Sequence, residues 1–291
     1  MRLSVIVTCT QSWPDVRGCL ERLLPQAQSG DVEIIVADGS EGGLDPSAAA
    51  DVTWLRFPGR GPHELRFLAL SEARGEVIAI TEDHCDVATD WCEQVLDAHA
   101  RRPEAVAITG PVTNGAARRF MDRANFLIVH GQNVPEHAGR PHDWFPPSGS
   151  NASYKRGQVV PMIQRPGDLE LVVVPQLWGE GRMVLDENIV VAHSQSMSAA
   201  RHVANHFHSA RSHAGLVARR GAPRTRRALA RDAVSLPGAA LRAVRDVGRE
   251  VPQYRPEIQR LLPAMTVLAL AATAGYLAGI AGPGTSLRRL R

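Results

Sequence analysis

The feature that most constrains this chain is the abrupt join at residues 76–91, EVIAITEDHCDVATDW. Val77, Ile78, Ala79 and Ile80 follow Gly75 as a short apolar run, the pattern of a strand buried on both faces in a parallel sheet. The run turns at once into Glu82-Asp83-His84, and a helix is expected from Asp90 or Trp91. Ligands of open α/β sheets collect just beyond the carboxyl ends of the strands. Carboxylate oxygens and a neutral imidazole placed there are normal ligands for a divalent cation. A solvated acidic turn that caps the next helix is the alternative use of the same residues.

The flanking sequence repeats the pattern. Residues 3–8 (LSVIVT) predict a first strand, and Ser12 with Pro14 a helix entry that puts Val16, Leu20, Leu23, Leu24 and Ala27 on one face. Gly30-Asp31 breaks that helix, and residues 32–37 (VEIIVA) predict a second strand ending in Asp38-Gly39-Ser40-Glu41-Gly42-Gly43. A strand, a helix and a strand in that order are the unit of a parallel sheet. Residues 52–57 predict a weaker third strand, and a helix after Gly61-Pro62 buries Leu65, Leu68, Ala69 and Ala73. Arg66 lies on that helix, where it can reach a phosphate or stay at the surface. A helix over residues 91–100 and a strand over 105–109, closed by Gly110-Pro111, complete an α/β doubly wound core of five strands. At the end of the second strand Asp38 can accept hydrogen bonds from a ribose or a base edge, or simply close an Asx turn. Neither GxGxxG nor GxxxxGK[ST] occurs, which removes dinucleotide-binding and Walker-type loops.

Charge is distributed unevenly along the 291 residues. Residues 1–200 carry 17 basic and 26 acidic side chains, whereas residues 201–291 carry 16 basic and 4 acidic ones. Such a basic end faces an anionic membrane or a nucleic acid. Twelve arginines fall in residues 211–260 among apolar positions at loosely helical spacing, which suits amphipathic helices on anionic lipid. The lack of aromatic stacking residues among them argues against nucleic acid. Residues 261–281 then hold no charge, and as a helix would run about 31 Å, enough to cross the hydrocarbon. An interfacial or re-entrant element is the alternative. The heavier arginine load ahead of this segment puts the N-terminal domain on the cytoplasmic side of a cytoplasmic membrane. No basic n-region with an apolar core opens the chain, and Cys9, Cys19, Cys85 and Cys92 lack CxxC spacing, so reduced thiols are expected. His202, His206, His208 and His213 cluster, but without HExxH or an adjoining acidic residue a polar helix is expected rather than a zinc site.

Taken together, LSVIVT, EIIVADGS at 33–40, Gly61-x4-Arg66, Gly75 and ITEDHCDVATDW at 80–91 resemble the family 2 glycosyltransferases of the GT-A fold. GSNASYKR at 149–156, Asp168-Leu169-Glu170-Leu171, Gly181 and Val191-Ala192-His193 extend the resemblance across residues 3–215. It implies inverting transfer of a sugar from a nucleotide-sugar donor to an acceptor hydroxyl, and the basic, apolar C-terminus makes a lipid-linked or envelope-glycan acceptor the expected one. By position, Asp38, Gly39, Ser40, Arg66 and Asp83 would bind the donor, and Glu82-Asp83-His84 would stand in the place of the metal-binding DxD. His193 would be a further metal or diphosphate ligand, and Mn²⁺ or Mg²⁺ the cofactor. Asp168 or Glu170 would be the general base. Two residues apart on a helix, only one of them can face the sugar, and Asp168 is preferred. The resemblance also places the acceptor loop at residues 111–148, where Asn125, Trp144 and Phe145 would contact a sugar or lipid or else fill a core gap. Three segments are expected: a transferase domain at 1–215, an arginine-rich helical region at 216–257 and a transmembrane segment with a basic tail at 258–291. Glu82 and His84 stand where two aspartates are usual, and histidine brings no negative charge, so metal affinity should be weaker. A catalytically inactive membrane-bound partner is the alternative reading of that substitution.

Overall fold

The computed structural model describes residues 1–10, 13–28, 30–42, 51–116, 118–137, 148–219 and 226–282. Ser12, Trp144, Phe145 and the arginines at 288, 289 and 291 fall outside them. In chain order the first elements are β1 (Leu3–Cys9), α1 (Trp13–Leu23), β2 (Val32–Asp38), β3 (Val52–Arg56), α2 (Pro62–Leu70), β4 (Val77–Glu82), β5 (Cys85–Val87), α3 (Trp91–Arg101), β6 (Ala107–Thr109) and β7 (Val112–Asn114). They are followed by α4 (Phe120–His130), β8 (Ala152–Lys155), α5 (Arg156–Val159), a π-helical turn at Leu169–Val173, α6 (Val174–Gly179), β9 (Met183–Leu185) and β10 (Val191–His193). The last helices are α7 (Ala199–Arg219), α8 (Arg226–Glu250) and α9 (Arg255–Ala281). Contacts divide the chain into two units, residues 1–113 with 138–194, and residues 114–137 with 195–291.

The first unit is built on a seven-stranded sheet in the order β3-β2-β1-β4-β8-β6-β9. β1 pairs in parallel with β2 and β4, and every residue of β1 and β2 is buried, as continuous apolar runs require in a sheet covered on both faces. The sheet is mainly parallel, as expected, but β8 enters it antiparallel to both β4 and β6. The five strands expected from the first 109 residues are therefore not all neighbours, because residues 152–155 separate β4 from β6. Alternation along β1 sends Leu3, Val5 and Val7 into one apolar cluster with Val16, Leu20, Trp91 and Val95, and Ile6 into another with Leu65, Ala69 and Leu177. Helices thus lie on both faces, the doubly wound arrangement. A second sheet, β5-β10-β7, carries residues 85–87 away from the edge of the first.

All four cysteines are free and buried. Burial pushes the Cys19, Cys85 and Cys92 thiols up, Cys92 to about 12, so they are protonated and unreactive at neutral pH.

The second unit is helical, with α9 packed against α7, α8 and α4. Ile258, Leu261, Met265, Leu268, Gly275 and Gly279 form its buried stripe. A Cβ at Gly275 would run into the Phe207 carbonyl, and one at Gly279 into that of Arg211, so the two glycines are what let α7 and α9 approach this closely. On the other side of α9, Val267, Leu270 and Leu277 are exposed. The segment 252–281 is long and apolar enough to cross a membrane by length and composition. In α8, Leu229, Ala233, Val244 and Val247 are buried, the amphipathic pattern expected of the arginine-rich region.

The histidine-rich stretch lies on α7. His202 Nε2 sits 2.7 Å from Asp122 Oδ1, with both side chains fully buried, and His206 Nε2 sits 2.8 Å from Asn125 Oδ1. Asp122 also accepts from Ser196 Oγ and the Met197 amide. An acidic partner does adjoin His202, then, but it comes from α4, eighty residues away in sequence.

Candidate active site

The site forms where the strand order changes direction, between β1 and β4. Register places Thr8 opposite Glu82 and Cys9 opposite Asp38, so the carboxyl ends of β1, β2 and β4 lie level at one edge. At the end of β2, Asp38 is buried and its Oδ1 accepts the Ser40 amide at 2.8 Å, the Asx turn. The Ser40 hydroxyl is buried with no hydrogen-bond partner among the described residues. Gly39 is required here by close approach, since a Cβ would lie 2.5 Å from the Arg60 carbonyl and 3.0 Å from Leu65 Cδ1. Gly39→Ala should therefore cost about 1–3 kcal/mol of stability. A chemical-denaturation midpoint would read that loss, and no change would mean that the 57–61 turn gives way freely.

Beyond β4, the chain crosses to the second sheet through Asp83 and His84. The Asp83 amide donates to the Thr8 carbonyl, and Asp83 Oδ2 accepts the Thr10 amide at 2.8 Å. Its Oδ1 lies 2.6 Å from His84 Nδ1. Pairing of β5 with β10 sets Cys85 opposite His193, and the Ser194 amide donates to the His84 carbonyl. This pairing carries His193 to His84 across 109 positions of sequence, with the two Nε2 atoms 2.9 Å apart. Glu82 Oε2 completes the group, 3.4 Å from His84 Nε2 and 3.9 Å from His193 Nε2. One carboxylate oxygen and two imidazole nitrogens thus lie within 4.8 Å of one another, a set that can hold a metal ion. Asp83, 1% exposed, does not belong to the set but braces one of its members.

Arg66 is buried rather than at the surface. Its two terminal nitrogens bridge Glu82 Oε1 at 2.8 Å and Glu170 Oε1 at 2.9 Å. His63 Nδ1 adds a contact of 3.1 Å to the same oxygen of Glu170. Glu170 Oε2 and Arg66 Nε are buried without hydrogen-bond partners among the described residues. Burial alone would raise the Glu170 carboxyl, but His63 and then Arg66 outweigh it and hold the pKa at about 2. Burial would likewise lower the Arg66 guanidinium, and its two carboxylate neighbours reverse that.

The sign of the linkage follows from the depressed value. The stabilisation from ionised Glu170 is complete above its ordinary pKa of 4.5 and is lost as pH falls towards 2. Glu170→Gln should therefore flatten the acid limb of stability between those values, which denaturation midpoints measured across that range would test. An unchanged limb would dissolve the network.

Asp168 lies elsewhere in the same unit, and its Oδ2 accepts the amides of Gln164 and Arg165 at 2.8 and 2.9 Å. Of the two acidic residues on this segment, only Glu170 shares hydrogen bonds with the Arg66–Glu82 pair. Asn151, in the GSNASYKR stretch, is fully buried. It donates to the carbonyls of Pro111 and Ile189 and accepts from Trp91 Nε1. No pattern in the sequence announced His63 or the Asn151 clamp, since a histidine in a first helical turn and an asparagine near a glycine are ordinary residues until the fold supplies their partners.

Residues 4–159 match the family model described as Glycosyl transferase family 2, more than half of the chain. The chain belongs to this family. A glucosyl-dolichyl phosphate glucuronosyltransferase of Haloferax volcanii is 28% identical over 170 residues, covering 54% of this chain and 53% of that protein. The chain thus spans about half the length of that curated relative. Among solved structures, the mannosyltransferase PcManGT of Pyrobaculum calidifontis, determined with GDP-Man and Mn²⁺, superposes with a TM-score of 0.53 at 16% identity. The superposition covers 95% of this chain and 87% of that one, which is a likeness of fold. The GT-A architecture expected from the ordered motifs is the one observed.

Proposed function

We propose that this family 2 protein is an inverting glycosyltransferase that moves a sugar from a nucleotide-sugar donor to a hydroxyl of a lipid-linked acceptor. The observation that carries the reading is the convergence of Glu82 Oε2, His84 Nε2 and His193 Nε2 beside the β1–β4 switch point. A divalent ion bound there would offset the charge that develops on a departing diphosphate.

The chain's own groups do the rest. Asp38, Gly39 and Ser40 hold the nucleoside at the end of β2, and the unpaired Ser40 hydroxyl supplies a buried polar contact. Arg66 bridges Glu82 and Glu170, fixing the carboxylate that faces the two imidazoles. Of Asp168 and Glu170, the second is the better base by connection, because its network includes a metal-group carboxylate while Asp168 caps its own turn. A carboxylate with a pKa of about 2 takes a proton only late, once bonding to the anomeric carbon has made the acceptor hydroxyl acidic.

The lipid-linked acceptor rests on two observations. The Haloferax volcanii relative is named for a glucosyl-dolichyl phosphate, and the second unit exposes Val267, Leu270 and Leu277 along one face of α9. Threading α9 through hydrocarbon while it holds α7 would draw His208 and Arg211 in with it, at several kcal/mol for the arginine. An interfacial seat on the cytoplasmic leaflet, apolar stripe down, avoids that cost. The full chain should co-sediment with anionic vesicles, and Val267→Asp with Leu270→Asp should release it. Retention of the double variant on vesicles would return the helix to a spanning role.

The test of the whole reading is thermal stabilisation by UDP, GDP and dTDP with and without Mn²⁺, followed by donor hydrolysis. If every nucleoside diphosphate leaves the melting curve unmoved, the proposal fails.

A further inference from the structure

We infer that the Glu82–His84–His193 group discriminates against magnesium in favour of ions that accept nitrogen ligands, and that Asp83 enforces this by fixing the tautomer of His84. The inference deepens the donor-site reading and rests on it only for the purpose the ion serves.

An ionised carboxylate accepts hydrogen bonds and cannot donate them. At 2.6 Å from Asp83 Oδ1, His84 Nδ1 is the nitrogen placed to donate to that carboxylate, which leaves Nε2 to face Glu82 and His193. The other oxygen of Asp83 is held by the Thr10 amide, and the side chain is 1% exposed, so it cannot swing round to ligate in place of the histidine. A carboxylate hydrogen-bonded to the far nitrogen of a ligating imidazole orients the ring and raises the basicity of the nitrogen that faces the ion.

Glu82, His84 and His193 together offer two nitrogens and one oxygen. Magnesium wants oxygen ligands in a near-regular octahedron and gives up its water reluctantly. Imidazole favours iron, cobalt, nickel and zinc, and affinity rises from manganese towards copper in any given site. Charge works in the same direction. Glu82 is the group's one anion, and its Oε1 is already committed to Arg66 at 2.8 Å, so the electrostatic attraction that would draw a hard cation is reduced.

The experiment uses the full chain. Mn²⁺ binding is followed by electron paramagnetic resonance and Co²⁺ binding by its ligand-field absorption, with Mg²⁺ as competitor, each with and without GDP or UDP. Expected results are a Co²⁺ spectrum of a mixed nitrogen and oxygen site, tighter binding of Co²⁺ than of Mn²⁺, and no displacement of Mn²⁺ by a hundredfold excess of Mg²⁺. His84→Asp should shift the Mg²⁺/Mn²⁺ competition towards Mg²⁺ by at least about tenfold, since it restores an anionic oxygen. In Asp83→Asn the amide oxygen can keep the Thr10 contact only by turning its NH₂ on His84 Nδ1, which forces the proton onto Nε2. Metal binding should then fall by about 10–100-fold, with the Co²⁺ spectrum changed. A purely structural role for Asp83 would lower the melting temperature and leave the spectrum of the bound ion alone.

Displacement of Mn²⁺ by equimolar Mg²⁺, or an unchanged competition ratio in His84→Asp, would overturn the inference. Nucleotide binding without any ion would overturn it while leaving the donor site standing. Failure of both ions and nucleotides to bind would remove the proposed function as well.

Discussion

Glu82→Gln is expected to lower the rate of sugar transfer by at least about a thousandfold, with the melting temperature nearly unmoved. The substitution keeps the shape of the side chain and an acceptor for Arg66, whose NH2 now bonds Glu82 Oε1 at 2.8 Å. What it removes is the anionic oxygen that lies 3.4 and 3.9 Å from the two imidazole nitrogens. Lewis-acid stabilisation of a leaving group is worth several kcal/mol, and each 1.36 kcal/mol is about a factor of ten in rate. Steady-state transfer at saturating donor, alongside a thermal melt, separates the two effects. Activity within tenfold of the parent would show that the metal group lies away from the reaction centre. A collapse of the melt would instead mark Glu82 as a structural counter-ion for Arg66.

The largest effect on stability is expected at Asn151. Asn151→Ala strands the Ile189 carbonyl and the indole N–H of Trp91, and leaves the Pro111 carbonyl with the Val191 amide alone, all three being partners of one fully buried side chain. Leaving a buried polar group unsatisfied costs roughly 1–3 kcal/mol, so a loss of about 3–5 kcal/mol is expected from equilibrium unfolding. Asn151→Asp should do no better. It keeps an acceptor for Trp91 but sets a carboxylate oxygen against two carbonyl oxygens. A loss under 1 kcal/mol for the alanine variant would mean that water replaces the amide. The residue stands in the GSNASYKR stretch that extends the family resemblance, and its hydrogen bonds make it a clamp between α3, the end of β6 and the 186–190 turn.

The central strands could be read from the sequence because strands buried on both faces must be apolar throughout, and residues 3–8, 32–37 and 77–80 are nearly so. The acidic cluster could be read because nothing apolar follows Ile80 for several positions. β8 could not, since Ala152–Lys155 is too short and too polar to stand out, and only pairing with both β4 and β6 makes it a strand. Arg66 fared similarly. A guanidinium on a helix is usually at the surface, and its burial is decided by carboxylates 16 and 104 positions away.

Local chemistry in the sequence by itself determined the parallel core, the strand-end position of Glu82-Asp83-His84, the basic C-terminal third and one helix of membrane-spanning length. Those properties depend on residues within a turn or two of each other, where hydrophobic period and charge act directly. Tertiary structure alone decided that His193 faces His84, that Asp83 is held between His84 and the Thr10 amide, and that Asp122 of α4 meets His202 of α7. Each of these is a hydrogen bond a few ångströms long between groups far apart along the chain or between two roles of one carboxylate. Its energy exists only after the packing of apolar strands and helices has brought the partners together.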